Sequence, residues 1–421
     1  MGEPQAAEGR AQRAEGERSR TGAVYDPYSY EIDEDPYPVY RWMRDEAPLY
    51  HNQALDFYAL TRFHDLLEAF IDRDAYTSTW ATSLEFMEQP HPDSGLLIWM
   101  DPPAHNRYRG LVSKAFTPRR IAELEPRIRA IAAGHLDALV GRERFDVVVE
   151  FTARLPMDVI SELLGIPEAD RRWVQEGSNA MLHRDAGDPM PRPEAIEAQQ
   201  QVLAYFDEQI AERRARPRDD MMTHLTRVEW EADDGKVSRL SDAEVRQFLM
   251  LLATAGNETV TKLLATAYHE LWRNPDERAL IAEDPSLARG AVEELLRFDP
   301  PSQYQGRVTA RDVTLHGQVV PKHSRVLLIN GASGRDERKF PDPDRFDVRR
   351  EIDVHLGLGY GRHLCLGASL ARLESRIAIE ELLARFPVYE IPEDGIRRMH
   401  SSNVRGLSGL VLEPVATLPP A

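Results

Sequence analysis

Residues 355–367 read HLGLGYGRHLCLG and lead into ASLARLESRIAIEELLARF at 368–386. Glycines at 357, 359, 361 and 367 surround Cys365, the only cysteine among 421 residues. Glycine admits left-handed backbone and lets a flat ligand approach the chain closely. The segment that follows has helical spacing, so Cys365 stands at a helix N-terminus. Backbone N–H groups there can face the sulphur and favour thiolate over thiol. A thiolate so placed is a soft axial ligand for haem iron. An inert buried thiol beside a glycine turn is the commoner fate of a lone cysteine. A dinucleotide-binding loop would need glycine where Arg362 stands, and a βαβ unit before it.

Outward from this segment the chain is mainly helical with a small β part. Apolar residues recur at helical spacing over Tyr37–Arg44, Tyr108–Phe116, Arg119–Val140, Leu155–Leu164 and Pro193–Arg214. Strand-like runs cover Phe57–Leu60, Val313–Val320, Arg325–Asn330 and Gly409–Val415. The stretch DAGDPMPRP at 185–193 reads as a mobile loop. The longest predicted helix opens at a capping box, Ser241 with Glu244, and runs to the Asn274–Pro275 stop. Its segment FLMLLATA at 248–255 is apolar on every face, then meets Gly256-Asn257-Glu258-Thr259. An acid there needs a partner or a shifted pKa; a kink that lets Glu258 reach solvent is the plainer reading.

With 70 acidic against 52 basic residues the net charge is −18, which leaves no overall basic footprint for nucleic acid or an anionic membrane. One cysteine excludes an internal disulfide framework and fits a reducing cytoplasm. Residues 1–22 are polar, with neither a signal-like apolar core nor a span, and are expected to form a disordered tail before one domain, 23–421. The expected location is cytoplasmic, without a membrane anchor.

Gly359-x-Gly361-x-His363-x-Cys365-x-Gly367 resembles the haem-binding signature of the cytochrome P450 family. Ala255–Thr259 resembles the family's oxygen-activating helix motif, and Glu294-Leu295-Leu296-Arg297 its Glu-x-x-Arg helix. Phe340–Phe346 is similar to the meander in which the family places a second arginine, here Arg345, and Asp101–His105 with Arg109 to the stretch that meets the haem propionates. The likeness spans roughly Tyr25 to Pro414 and implies the P450 fold, an α+β single large domain.

The resemblance implies haem b on Cys365, with His105, Arg109, Arg307 and His355 at the propionates and Gly359, Gly361, His363 and Gly367 in the binding loop. Glu294, Arg297 and Arg345 become structural supports. Thr259 is the hydroxyl beside the bound oxygen and Glu258 the acid that relays protons to it. The implied reaction is a monooxygenase one, in which O2 is co-substrate and NAD(P)H electrons arrive through a separate ferredoxin and reductase. Arg107, Arg109, Lys114, Arg119, Arg120, Arg362, Arg372 and Arg376 form the expected docking face. The substrate is a hydrophobic small molecule in a pocket of Trp80, Phe86, Leu97, Ile98, Met181, Leu252, Ala255, Tyr304 and Val404. Leu358, Val260 and Gly334 depart from the family's usual Phe, hydroxyl residue and Asn. An isomerase or dehydratase of the same fold, a haem sensor, and a nucleotide-binding protein are the other classes.

Overall fold

The computed structural model describes residues 24–113, 116–231 and 235–416. The expected tail, 1–22, and Lys114 lie outside the described residues. Eight helices position the site: α1 Ala104–Ser113, α2 Arg154–Leu164, α3 Glu168–Asn179, α4 Pro193–Ala215, α5 Asp242–Ala255, α6 Glu258–Arg273, α7 Ala288–Phe298 and α8 Ala368–Arg385. Their apolar faces meet in one core that includes Phe151, Phe206, Phe248, Tyr268 and Ile377. Burial of such side chains at about 25 cal/mol per Å² of apolar surface is the main cohesive term.

Local chemistry sets the helix ends. Pro193 opens α4 at a position that needs no N–H donor, and α2 stops at Gly165 with φ 85°. The predicted capping box holds α5: Ser241 accepts from the Glu244 N–H at 3.2 Å while Glu244 accepts from the Ser241 N–H at 2.8 Å.

Two predicted helices are broken. The stretch 119–140 divides into Pro118–Ala122 and Glu125–Asp137, since Pro126 cannot donate within a continuous helix. The predicted helix from Ser241 to Asn274 divides at Gly256–Asn257 into α5 and α6, and α4, with 23 residues, is longer than either. A Cβ on Gly256 would lie 2.7 Å from the Leu252 carbonyl oxygen and 3.1 Å from Ile160 Cγ1, so glycine lets α2 pack against the break. The run Val313–Val320 is a hairpin whose turn, His316 and Gly317, has φ 51° and 74°.

The larger sheet holds β1 Leu49–Asn52, β2 Phe57–Leu60, β3 Tyr76–Thr77, β4 Gln305–Thr309 and β5 Arg325–Leu328, in the order β1-β2-β5-β4-β3. β2 and β5 run parallel with Tyr58 opposite Val326. A smaller sheet joins β6 Val388–Glu390, β7 Ile396–Met399 and β8 Gly406–Ala416. Tyr268 on α6 donates its hydroxyl to the Ala378 carbonyl of α8 at 3.0 Å. This contact belongs to the packing of the helix that carries Glu258 and Thr259 against the helix that follows Cys365.

Candidate haem-thiolate site

Gly359 and Gly361 adopt φ 70° and 65°, where side chains are strained. The Cys365 N–H donates to the Leu358 carbonyl at 2.9 Å, which folds the loop back on itself. Leu358 contributes its backbone here, so Leu for Phe leaves the turn intact. The Gly367 N–H points at the sulphur, and a Cβ on Gly367 would enter open space. Cys365 retains accessible surface although the chain surrounds it. Burial pushes its thiol up, against the Gly367 N–H and the charges of Arg109 and Arg372. A metal cation at the sulphur would oppose that push.

Beside the sulphur stands a cluster of bases with no carboxylate bonded to it among the described residues. His105 is 1 % exposed and neither ring nitrogen has a partner. Its ring lies 4.5 Å from that of His363. Arg109 donates to the Leu364 carbonyl at 2.6 Å, and a buried Arg362 Nη1 is unpartnered. Arg307 is buried and donates to the adjacent Gly306 carbonyl. Burial pulls Arg307 down to about 10, opposed by Asp101. Burial, then the Arg307, His105, Arg109 and Arg362 charges, pulls His363 down to about 2. Orphaned buried donors are costly, and none of these five groups is ion-paired to a carboxylate among the described residues. Open space by a soft sulphur, rimmed by such donors, fits a flat iron macrocycle bearing two carboxylates.

His355 does not join this cluster. Its Nδ1 accepts from the Gly357 N–H at 3.2 Å and its Nε2 lies 3.1 Å from Glu293 Oε2. Arg372 completes that group with a 2.6 Å bond to Glu293. Both ring nitrogens are thus engaged away from the cradle, and the expected propionate role is corrected. Ser78, absent from the predicted set, lies 3.2 Å from His363 Nε2.

Glu294 and Arg297 form a two-pronged pair at 2.6 and 2.7 Å, both fully buried. Arg297 also donates to the carbonyls of Gly334, Pro343 and Arg345 at 2.6, 2.8 and 3.3 Å. The second guanidinium on Glu294 belongs to Arg350, at 3.2 Å. Arg345 contributes its carbonyl, while its side chain is 62 % exposed; the expected third member is corrected to Arg350. A Cβ on Gly334 would lie 1.8 Å from the Arg297 carbonyl oxygen, which accounts for glycine where the resemblance leads one to expect Asn.

Glu258 does not reach solvent. Lys262 Nζ lies 2.7 Å from Oε1, and Asn179 Nδ2 donates to Oε2 at 2.5 Å. The Thr259 hydroxyl donates to the Ala255 carbonyl at 2.8 Å. Lys262, four residues from Glu258 on the same helix face, was a readable signal; Asn179 on α3 had none.

Of the expected pocket residues, Ile98 and Ala255 carry exposed surface, Trp80, Phe86 and Met181 are half-buried, and Leu252 and Val404 are nearly buried. Tyr304 is fully buried, its hydroxyl accepting from the Leu84 N–H at 3.2 Å, and Leu97 is 4 % exposed. These two are core residues, because an aromatic ring with a satisfied hydroxyl packs inside as readily as it lines a hollow. The expected basic face is largely neutralised, since Arg107 pairs with Glu244, Arg372 with Glu293, and Arg376 with Glu125 and Glu380. Arg119 pairs with Glu123 at 3.4 Å, and both it and Arg120 are exposed. No helix among the described residues is long and apolar enough to cross a membrane.

Residues 192–416 match the cytochrome P450 family. Cytochrome P450 123 of Mycobacterium tuberculosis is 44 % identical over 390 residues, covering 92 % of this chain and 96 % of that one. The vitamin D(3) 25-hydroxylase of Pseudonocardia autotrophica is 38 % identical over 392 residues, covering 91 % and 95 %. The structure of CYP109Q5 from Chondromyces apiculatus superposes with a TM-score of 0.83 at 34 % identity, covering 94 % and 99 %. A thiol loop, an unbalanced cationic cradle and full-length relatives agree: the chain belongs to the cytochrome P450 family, whose members are haem-thiolate monooxygenases fed by NAD(P)H-derived electrons.

Proposed function

We propose that residues 23–421 form one catalytic unit that hydroxylates a hydrophobic small molecule with electrons from a ferredoxin and its reductase. The observation that carries this reading is the cradle of His105, Arg109, Arg307 and His363 beside Cys365, with both nitrogens of His105 unpartnered. Cys365 would hold the iron of haem b, and the cradle its carboxylates. Bound there, the haem supplies the iron at which O2 is activated.

The remaining steps belong to the chain. Ile98 and Ala255 offer apolar surface to the substrate, and the half-buried Trp80, Phe86 and Met181 supply a wall that excludes water. Thr259 holds its hydroxyl proton on the Ala255 carbonyl and can turn it to an incoming acceptor. Glu258 is the proton donor behind Thr259, at present tied by Lys262 and Asn179. Electron partners meet the chain at Arg119 and Arg120, the exposed part of the basic edge. The name of the 38 % identical hydroxylase makes vitamin D3 a reasoned first probe.

The test is the carbon monoxide difference spectrum of the dithionite-reduced protein, then turnover of vitamin D3 with NADPH, ferredoxin and reductase. The expected result is the red-shifted band after which the family is named, abolished in Cys365→Ala, and an oxygenated product that requires electrons. Product formed without electrons would make the chain an isomerase or dehydratase. A spectrum unchanged by Cys365→Ala would sink the assignment of the ligand.

A further inference from the structure

Two charged side chains join the turns that carry Phe86 and Met181. Glu85 lies in the 3-10 turn Leu84–Phe86, and Arg184 follows the 3-10 turn Ala180–Leu182. Their side chains are 1 and 7 % exposed, and Arg184 Nη2 donates to Glu85 Oε1 at 2.6 Å. Ser402 Oγ donates to the same oxygen at 2.8 Å. Arg184 is the hub of this contact. Its Nη1 donates to the Met181 and His183 carbonyls at 2.6 and 2.9 Å, which folds its own turn back. Its N–H donates to the His400 carbonyl at 3.0 Å, and its carbonyl accepts from the Tyr30 hydroxyl at 2.6 Å. The Tyr30 ring stacks on His400 at 3.6 Å, and Asp33 lies 2.8 Å from His400 Nδ1. The Met181 turn is thus fixed to segments 30–33 and 400–402, and Glu85 fixes the Phe86 turn to the same support.

Stability does not account for this pair. Taking a carboxylate and a guanidinium out of water is costly, and the cost is offset only when their remaining donors and acceptors also find partners. Here Glu85 Oε2 and Arg184 Nε are both buried without one among the described residues. The neighbouring pair, Asp185 with Arg192 at 2.6 Å, is exposed and carries no such desolvation cost. What the buried pair supplies is a fixed separation between two short turns that lie far apart in sequence.

We propose that Glu85 and Arg184 are positioning residues of the substrate hollow: their pair clamps the Phe86 turn to the Met181 turn and so limits the width of ligand the hollow admits. A wide ligand must part the two turns and break the pair, whereas a narrow one enters with the pair intact. The clamp acts on specificity and touches neither the haem nor the reacting atoms. The inference rests on Phe86 and Met181 as walls of the hollow in the proposed enzyme.

The holoenzyme tests this with two nitrogen ligands of different width, imidazole and the triaryl imidazole clotrimazole, whose binding is read from the shift of the haem Soret band. In the double variant Glu85→Leu with Arg184→Met, clotrimazole should bind about tenfold more tightly than in wild type, and imidazole within about twofold of it. The urea midpoint of that variant should not fall, because two orphaned buried groups leave with the pair. Asp185→Asn, which opens only the exposed pair, should leave both affinities within about twofold. If the double variant does not load haem, Ser402→Ala decides: it keeps both charges, removes one donor from Glu85, and should tighten clotrimazole about threefold with imidazole unchanged. Wild-type clotrimazole affinity, or a lowered midpoint with both ligands equally affected, would overturn the clamp and leave the haem site in place. The same gain in Asp185→Asn would overturn it too, since any loosening of the loop would then suffice. No Soret shift with imidazole in the wild-type protein would remove the hollow itself, and the clamp with it.

Discussion

Arg297→Lys keeps the charge and the volume of Arg297 nearly constant, and removes its fork. Five hydrogen bonds leave that guanidinium, two to Glu294 and one each to the Gly334, Pro343 and Arg345 carbonyls. A lysine has one nitrogen at the end of a flexible stem, and in this fully buried position it can meet Glu294 and one carbonyl. The Arg345 carbonyl keeps Arg350 at 2.9 Å, so one of the other two carbonyls loses its donor, at about 1–3 kcal/mol. With the second bond to Glu294 also lost, the total is about 2–4 kcal/mol, against a folding stability of about 5–15 kcal/mol for a typical protein. Urea unfolding followed by circular dichroism, with haem content measured in parallel, should show a lowered midpoint and reduced loading. A sharper form uses Glu294→Leu with Arg297→Met. Replacing a buried pair by apolar residues is neutral in some proteins. It should not be so here, because the Asp347 N–H, 2.9 Å from Glu294, and the Gly334 and Pro343 carbonyls would be stranded, while the Arg345 carbonyl keeps Arg350. A double variant as stable as wild type, or Arg297→Lys within about 0.5 kcal/mol of it, would refute the reasoning.

Arg307→Leu and His105→Phe should each lower haem retention by the loss of about 1.5–3 kcal/mol of charged hydrogen bonding, read as the ratio of haem to protein absorbance after gel filtration, while Arg307→Leu stabilises the cofactor-free chain by removing an unpaired buried charge. Burial pushes the Glu293 carboxyl up, but His355 and Arg372 pull it down to about 2 from 4.5. A folded value below the unfolded one gives stability that is complete above pH 4.5 and disappears as pH falls toward 2; Glu293→Gln should therefore flatten the acid limb of a midpoint-against-pH curve by about 2 kcal/mol between pH 5 and pH 3. Gly256→Ala gains about 1 kcal/mol of helix propensity but collides with Leu252 and Ile160, at about 1–3 kcal/mol, so its melting temperature should drop; a rise would show that packing does not hold the break open.

The parts of the fold legible in the sequence are those written in local chemistry. Ser241 with Glu244, Pro193 at a helix start, and glycines 359 and 361 with positive φ each act over three or four residues. The break at Gly256–Asn257 was visible only as a weak point, because its cause is the approach of Ile160 from another helix. His355 and His363 flank the same cysteine, and spacing does not tell which side of the loop each one faces; the Gly357 N–H and Glu293 settle it for His355. Arg345 and Arg350 lie in a segment without periodicity, so the arginine that reaches Glu294 depends on how the chain coils there. Lys262 stood four residues from Glu258 in plain view, whereas Asn179, the second partner of Glu258, became apparent only once α3 crossed the break.

The parallel pairing of β2 with β5 has a consequence for synthesis. Tyr58 waits for Val326, and a ribosome adding about 5–20 residues per second reaches it on the order of tens of seconds later. Until then the first strands present an open edge, a condition that invites association with other chains. The cradle likewise gathers residues from His105 to His363, so haem cannot be retained by a nascent chain that has not yet emerged almost to its end. Long-range closure of this kind is slow. Haem supply and chaperone occupancy during those seconds, rather than the stability of the finished protein, should therefore govern how much active chain a cell accumulates.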